Sequence, residues 1–264
     1  MAWDLHEHGP ADASQTALLL PGGMCTAAFY DGLAREPALQ EARLVAATLP
    51  GFGGTPPGAD ATMEGWVREA GALASEVGAD VVVGHSVGAN VVLEMAASGL
   101  ISCPLVLLAP SFSSPDEEKA FRALDRVGRV AGVGPLAWWA AMKMMGRMAK
   151  DMLPEDSAAK LVPEMQRNDP GVSRRLCRSY FDYLDRHGSV VSRLCDTGAR
   201  AWVVFGDHKE VGLQDAERTA LEACSTVTLQ TIPDATHMMF LEHPARIAEL
   251  VAEALAVSPR VGSA

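Results

Sequence analysis

A serine in a tight, glycine-flanked turn is the first residue of this sequence that could do chemistry. Ser86 lies in a Gly-x-Ser-x-Gly run that follows the apolar stretch 81–83 and precedes a helical pattern. A nucleophile on such a strand-to-helix turn needs small residues two positions before and after it, because the two backbones pass closely. Gly84 and Gly88 meet this need, and the helix N-terminus would favour an oxyanion beside the serine. Ser86 is therefore predicted to be a nucleophile, the alternative being a serine that only completes the turn.

Two further segments follow the same plan, in which apolar residues precede a glycine-rich turn. They are Leu18–Met24, which ends in Pro-Gly-Gly-Met, and Leu49–Thr55, which contains Gly-Phe-Gly-Gly. Together with the Ser86 turn, they resemble the α/β-hydrolase fold family, and the resemblance covers nearly the whole chain. It implies a mostly parallel sheet flanked by helices, with serine as the nucleophile.

The resemblance also implies an oxyanion hole formed by two backbone N–H groups. The family has His-Gly-x after the first of these strands, and the x residue donates one N–H. Here Pro21 replaces the histidine, which leaves Gly23 as the expected donor and Met24 as the alternative. Val87 would donate the second N–H. A simple turn without a catalytic role is the other interpretation of this segment.

A serine hydroxyl needs a neighbouring base, and seven histidines are candidates. Five of these histidines lie in the N-terminal tail, in the Ser86 turn, in the central helical segment or at a helix start: His6, His8, His85, His187 and His243. His237 follows the last predicted strand, and its context, Thr-His-Met-Met-Phe-Leu-Glu-His-Pro, resembles the family's loop with the catalytic histidine. His237 is therefore predicted to be the base, against a purely structural role in this loop.

The acid of the triad is the position at which the sequence departs from the family. The resemblance implies Gly-x-x-Asp after the penultimate strand, but Lys209 occupies that position after Gly206. A charged lysine cannot accept a hydrogen bond from an imidazole N–H. Asp207 is the preferred acid and Glu210 the alternative. An acid from elsewhere, such as Asp116, or no acid at all is also open.

Six apolar runs, each followed by turn residues, are predicted to be the strands that position these side chains. Their alternation with helical patterns indicates an α/β fold around a parallel sheet. Their nearly continuous apolar character is typical of strands that are buried on both faces. The runs are 16–20, 44–49, 80–83, 105–109, 201–205 and 226–232.

The segment between the fourth and fifth runs is far longer than an ordinary connection and contains long helical patterns without a convincing strand. We therefore predict an α/β-hydrolase core at 1–112 and 200–264, with an inserted, all-helical cap at 113–199. This cap would cover Ser86, because parallel sheets of this kind bind ligands near the carboxyl ends of their strands.

The same segment holds six of the twelve methionines and two adjacent tryptophans. Trp138, Met142 and Met145 are the candidate residues of an apolar substrate pocket. The alternative is that they fill a small core, because methionine fits many irregular gaps.

Composition and charge exclude several kinds of partner. The chain has 264 residues, of which 48% are hydrophobic and 21% charged, as in ordinary globular proteins. Its formal charge of -11 repels phosphate backbones and anionic headgroups. The longest uncharged apolar stretch, 131–142, is shorter than the roughly 20 residues of a membrane span, and the first ten residues do not read as a secretory signal. We expect a cytoplasmic protein without nucleic-acid or membrane partners.

No cofactor or metal site is predicted. The five cysteines form no Cys-x-x-Cys pair and no cluster with histidine. The sequence also lacks the glycine-rich motifs of dinucleotide and nucleoside triphosphate sites. Haloalkane dehalogenases and epoxide hydrolases of this fold use an aspartate nucleophile, so Ser86 disfavours those reactions.

The residues and the resemblance together predict a serine hydrolase that cleaves an ester-type bond of a small, partly apolar molecule. The acyl group would pass through an intermediate on Ser86, with His237 as the base. Hydrolysis of a C–C bond or a thioester is an alternative, because the same triad serves these reactions. A ligand-binding, receptor-like protein with little turnover is the rival from another class, and Lys209 is its best support.

Overall fold

A computed structural model describes the main chain of residues 3–208 and 212–258, and all side chains in these ranges except those of 146–148 and 150–152. Seven strands are found there: β1 (Leu5–His8), β2 (Thr16–Leu20), β3 (Arg43–Ala47), β4 (Val81–His85), β5 (Leu105–Leu108), β6 (Ala201–Gly206) and β7 (Val227–Ile232). They form one sheet in the order β1-β3-β2-β4-β5-β6-β7. Each of the six predicted runs overlaps one of these strands, and the bounds agree within two residues at either end.

The neighbours from β3 to β7 are parallel, as predicted, whereas β1 pairs with β3 in antiparallel register. Residues 5–8 were expected to be part of a tail, and the strand there is a correction. Its sequence, Leu-His-Glu-His, has no apolar run, because an edge strand has one neighbour and is not buried on both faces.

The described helices flank this sheet or lie in the long connection between β5 and β6. Among them, none combines the length and apolar character needed to cross a membrane. The helices are α1 (Met63–Val77), α2 (Val87–Ala97), α3 (Lys119–Gly128), α4 (Val133–Met152), α5 (Glu155–Gln166), α6 (Pro170–His187), α7 (Val191–Asp196), α8 (Asp215–Glu222), α9 (Met239–Glu242) and α10 (Pro244–Val257).

Two apolar clusters fill the space on the two faces of the sheet. Along β2, Leu18 and Leu20 belong to one cluster, whereas Ala17 and Leu19 belong to the other. The first cluster includes side chains of α1 and α2, and the second includes the inner face of α10. Both faces of the central strands are thus covered, which explains why those strands have few polar residues.

The connection between β5 and β6 consists of helices α3 to α7, without a described strand. Within it, α3, α4 and α6 pack against one another around a separate small cluster of Trp138, Cys177 and Phe181. α6 also contacts α1, and α5 contacts the short 3-10 turn Ala27–Tyr30. The helical content agrees with the expected insertion. The division into a core and a cap stays a prediction.

Candidate active site

The turn between β4 and α2 places Ser86 in a strained backbone conformation. Its φ is 52° and its ψ is -123°, a combination that few residues other than glycine adopt. The turn is held on both sides, since the Ser86 N–H donates to the Leu108 carbonyl at 2.8 Å and the Ala89 N–H donates to the Ser86 carbonyl at 2.8 Å. A strained serine at the end of a central parallel strand is the geometry expected of a nucleophile.

The two glycines of the motif are required by the close approach of three backbone segments. A Cβ atom on Gly84 would lie 2.5 Å from the Gly88 carbonyl oxygen. A Cβ atom on Gly88 would lie 2.4 Å from the Leu20 carbonyl oxygen and 2.5 Å from that of Pro21. The turn therefore depends on side-chain-free positions on both sides of Ser86.

The predicted oxyanion donors lie beside the serine. Gly23, Met24 and Val87 line the same cavity as Ser86, and a Cβ atom on Gly23 would be 3.9 Å from Val87 Cγ1. None of the described hydrogen bonds uses the N–H of these three residues. Val87 is also the first residue of α2, where the helix dipole favours negative charge. The role of these amides as oxyanion donors stays a prediction.

His237 lies in the loop between β7 and α9 and lines the same cavity as Ser86. Burial lowers the pKa of His237 to about 4, so the imidazole is neutral near pH 7, the form that a general base requires. The loop is held by α9, because the Thr236 N–H and Oγ1–H donate to the Glu242 carboxylate at 2.8 and 2.7 Å. The structure thus brings the predicted nucleophile and the predicted base into one cavity.

His85, which the sequence offered only as the variable residue of the Ser86 motif, contacts the base. Its Nε2–H donates to the His237 carbonyl at 2.9 Å, and the two ring centroids are 4.6 Å apart. Phe240 packs against His85 at 4.7 Å between ring centroids. Burial, followed by the proximity of His237, holds the pKa of His85 well below its usual range. A neutral His85 therefore positions the His237 loop against the turn that carries Ser86.

The preferred acid, Asp207, lies on an exposed turn after β6. Its side chain is 45% exposed, with one carboxylate oxygen 4.0 Å from His208 Nε2, and none of its described contacts reaches His237. Lys209 and the alternative acid Glu210 lie outside the described residues. The identity of the acid stays a prediction.

Asp116, named as an acid from elsewhere, is buried in a different environment. Its Oδ2 accepts the N–H groups of Phe112 and Ser113, both at 2.9 Å. Burial, and after it a hydrogen bond with the Glu217 carboxyl, raises the pKa of Asp116 to about 7. Asp116 is thus part of a carboxyl pair with Glu217.

The cavity that contains Ser86 and His237 has a volume of about 440 Å³. Of the predicted pocket residues, Trp138 and Met145 line it, whereas Met142 packs against the separate cluster around Trp138 and Phe181. Most of the wall is formed by apolar side chains, among them Phe52, Trp66, Phe121, Leu124, Met144, Met165 and Leu176.

One carboxyl group in this wall was missed by the sequence analysis. Glu117 Oε1 accepts hydrogen bonds from Ser111 Oγ and from the Tyr180 hydroxyl, both at 2.6 Å. Burial raises the pKa of Glu117, and these two hydrogen bonds oppose that effect. Nothing in the local sequence distinguishes Glu117 from its acidic neighbours, because its partners come from α6 and from the segment after β5.

Solved structures of several esterases and related enzymes have the same fold. A thermophilic esterase from Thermogutta terrifontis is 19% identical, with 96% of this chain and 93% of that chain covered and a TM-score of 0.74. The N-acyl homoserine lactonase AidH is 18% identical, with coverage of 98% and 94% and a TM-score of 0.75. MenH from S. aureus is 14% identical, with coverage of 96% and 97% and a TM-score of 0.71.

At such identities, the likeness to solved structures shows the fold alone. No curated protein matches the chain in sequence. The sequence pattern of the alpha/beta hydrolase family, in contrast, matches residues 17–250, which include the Ser86 turn and the His237 loop. The predicted fold class is confirmed, and the chain belongs to the alpha/beta hydrolase family.

Proposed function

We propose that this protein is a serine hydrolase that cleaves the ester bond of a small, partly apolar molecule. Membership of the family supports a general hydrolase activity. The finer proposal rests on one observation, namely that a strained Ser86 and a neutral His237 line one largely apolar cavity. A nucleophile, a base and an apolar binding space are the parts that acyl transfer requires.

The reaction would proceed in two halves. In the first, His237 accepts the Ser86 hydroxyl proton while the oxygen attacks the acyl carbon, and the N–H groups of Val87 and of Gly23 or Met24 stabilise the oxyanion. Collapse of this intermediate breaks the ester bond, and His237 returns the proton to the leaving alcohol. In the second half, His237 accepts a proton from water, and the water oxygen attacks the acyl carbon. Collapse of this intermediate releases the acid, and His237 returns the proton to Ser86.

The helical segment supports the proposal that 113–199 is a cap over this centre. Phe121 of α3, and Trp138 and Met145 of α4, line the cavity together with Ser86. An acyl group attached to the serine would therefore lie against side chains from this segment. We expect esters with medium-length apolar acyl chains to react faster than acetates, because each buried methylene contributes about 0.8 kcal/mol.

The proposed acid of the triad is Asp207, and Glu210 is the alternative. Either carboxylate would fix the imidazole tautomer of His237 and stabilise the imidazolium that forms in the reaction. Asp207 can do so only after its side chain leaves the exposed position beside His208.

The decisive experiment is intact-mass analysis after reaction with a fluorophosphonate probe. The wild-type protein should gain one phosphonyl group, and Ser86→Ala should gain none. Ser173→Ala is the matched control, because Ser173 is buried and lines the same cavity; it should be labelled like the wild type. An unlabelled wild type would favour the ligand-binding alternative, and labelling of Ser86→Ala would exclude Ser86 as the nucleophile.

A further inference from the structure

Two histidines and an aspartate converge at the edge of the sheet. His6 and His8 are two residues apart on β1, so their side chains point to the same face. Both approach one oxygen of Asp31, which follows the 3-10 turn Ala27–Tyr30. His6 Nδ1 lies 2.8 Å, and His8 Nε2 lies 3.2 Å, from Asp31 Oδ1. The cluster thus joins the edge strand to a turn that packs on the body of the molecule.

The geometry of this cluster is close to that of a metal site. One atom each of His6, His8 and Asp31 lies within 4.8 Å of the other two. Typical bonds of about 2.0–2.2 Å from a zinc ion to nitrogen or oxygen separate neighbouring ligand atoms by about 3.3–3.6 Å in a tetrahedron. Small side-chain rotations would therefore open enough space for an ion between these three atoms.

The cluster offers a charged, buried oxygen ligand and two accessible imidazoles. Asp31 is only 8% exposed, whereas the side chains of His6 and His8 are 36% and 25% exposed, which leaves a route from solvent. Asp31 supplies an oxygen ligand, and the two imidazoles supply nitrogen ligands, both of which zinc accepts.

Lys160 supports the arrangement from the other side of the carboxylate. Its ammonium group pairs with Asp31 Oδ2, so Oδ1 remains available to the two histidines. The Lys160 side chain is exposed and can withdraw into water if a cation binds.

We propose that His6, His8 and Asp31 bind a divalent transition metal ion, with zinc as the type case. Two imidazoles and one carboxylate suit zinc, nickel or copper better than magnesium or calcium. Three protein ligands would leave a fourth position for water. Since β3 and β2 separate β1 from β4, the site lies about 14 Å from the Ser86 strand across the sheet. The ion would fasten β1 to the molecule, independently of the hydrolase proposal.

The test begins with protein that has been stripped of metal by a chelator. Calorimetric titration with zinc chloride should give a stoichiometry of one ion per chain. Cobalt(II) should give the visible absorption of a four-coordinate site. His6→Ala/His8→Ala should lower the affinity at least about 100-fold, because loss of even an outer-shell partner costs 10–100-fold. His187→Ala, which removes a histidine on α6, should bind as the wild type does.

Thermal unfolding provides a second readout. Zinc at about 100 times its dissociation constant should raise the Tm of the wild type by about 5 °C and leave that of the double variant unchanged. The single variant His8→Gln, with its folding checked by circular dichroism, replaces the double variant if the latter fails to fold. The proposal is wrong if the wild type shows no saturable binding, or if removing these histidines leaves the affinity unchanged.

Discussion

The turn that carries Ser86 (84–88, the serine turn) and the loop that carries His237 (233–238, the histidine loop) are held in different ways. The serine turn is fixed mainly by its own backbone, with a strained φ at Ser86 and glycines where a Cβ atom would clash. The histidine loop is fixed by side chains outside it, and His85, 152 residues earlier in the chain, binds its carbonyl. Steric constraint therefore holds the proposed nucleophile, and tertiary contacts hold the proposed base.

This difference has a consequence for how substitutions act on the two regions. His85 belongs to β4, next to Ser86, yet its ring and its Nε2 contact His237. A change in the serine turn can therefore move the histidine loop, whereas the described hydrogen bonds between Thr236 and Glu242 join the histidine loop to α9.

The largest effect is expected from Ser86→Ala. We expect the turnover of p-nitrophenyl esters to fall at least about a thousandfold, because only binding and the oxyanion donors remain. The fold should persist, since no described side-chain hydrogen bond involves the Ser86 hydroxyl. Steady-state kinetics and circular dichroism measure the two outcomes. Turnover near the wild-type rate in Ser86→Ala would refute the serine-hydrolase proposal.

The acid of the triad should give the next largest effect. Asp207→Asn and Glu210→Gln each keep the size of the side chain but replace an acceptor oxygen by a donor. At the true acid, this change should mis-set the His237 tautomer and lower kcat about a hundredfold or more. A loss confined to Glu210→Gln would show that Asp207 is not the acid, and no loss in either variant would indicate a Ser-His dyad or an acid from another strand.

Gly88→Ala tests whether the serine turn is held by steric constraint. Because its Cβ atom would lie 2.4 Å from the Leu20 carbonyl oxygen, we expect the free energy of unfolding to fall by about 2 kcal/mol or more. The matched control is Gly32→Ala, where no atom lies within 4 Å of the new Cβ and φ is -69°; it should be neutral or slightly stabilising. Urea denaturation of both variants measures the difference, and equal stabilities would contradict the steric argument.

The same difference explains how much the sequence could predict. Six strands and the serine turn were predictable, because buried parallel strands and a Gly-x-Ser-x-Gly turn depend on local residue types. β1 was missed, because Leu5–His8 contains polar residues suited to an edge. The contacts of His85 and Glu117 could not be predicted from the sequence, because His237 and Tyr180, their partners, are distant from them in the chain. The same holds for the contacts of Asp31 with His6 and His8.

His85→Ala should have a smaller effect than loss of the nucleophile, since it displaces the base without removing it. We expect kcat to fall about tenfold to a hundredfold, the range that a misplacement of about 1 Å can cause. His85→Gln is the matched variant, because its amide can still donate to the His237 carbonyl, and it should recover part of the loss. Unchanged kcat in His85→Ala would mean that the contacts of Thr236 with Glu242 suffice to hold the loop.

The smallest effect concerns the pH dependence of His237. Burial lowers its pKa to about 4, so kcat/KM for a neutral ester should change less than about twofold between pH 7 and pH 5.5, and should halve only near pH 4. An exposed histidine would halve the rate near its ordinary pKa of about 6.5. An acidic limb near or above pH 6.5 would show that burial does not set the pKa of His237.

The stability of the protein should follow the same titration. Below about pH 6.5 the unfolded chain binds a proton at His237 that the folded chain does not accept until about pH 4. The contribution of His237 to the free energy of unfolding is therefore largest above pH 6.5 and decreases as the pH falls toward 4. Urea denaturation of the wild type and of His237→Gln at pH 7, 5.5 and 4.5 isolates this contribution from those of other groups. The wild type should lose more stability than the variant over this range, and parallel losses would mean that His237 is not held neutral by burial.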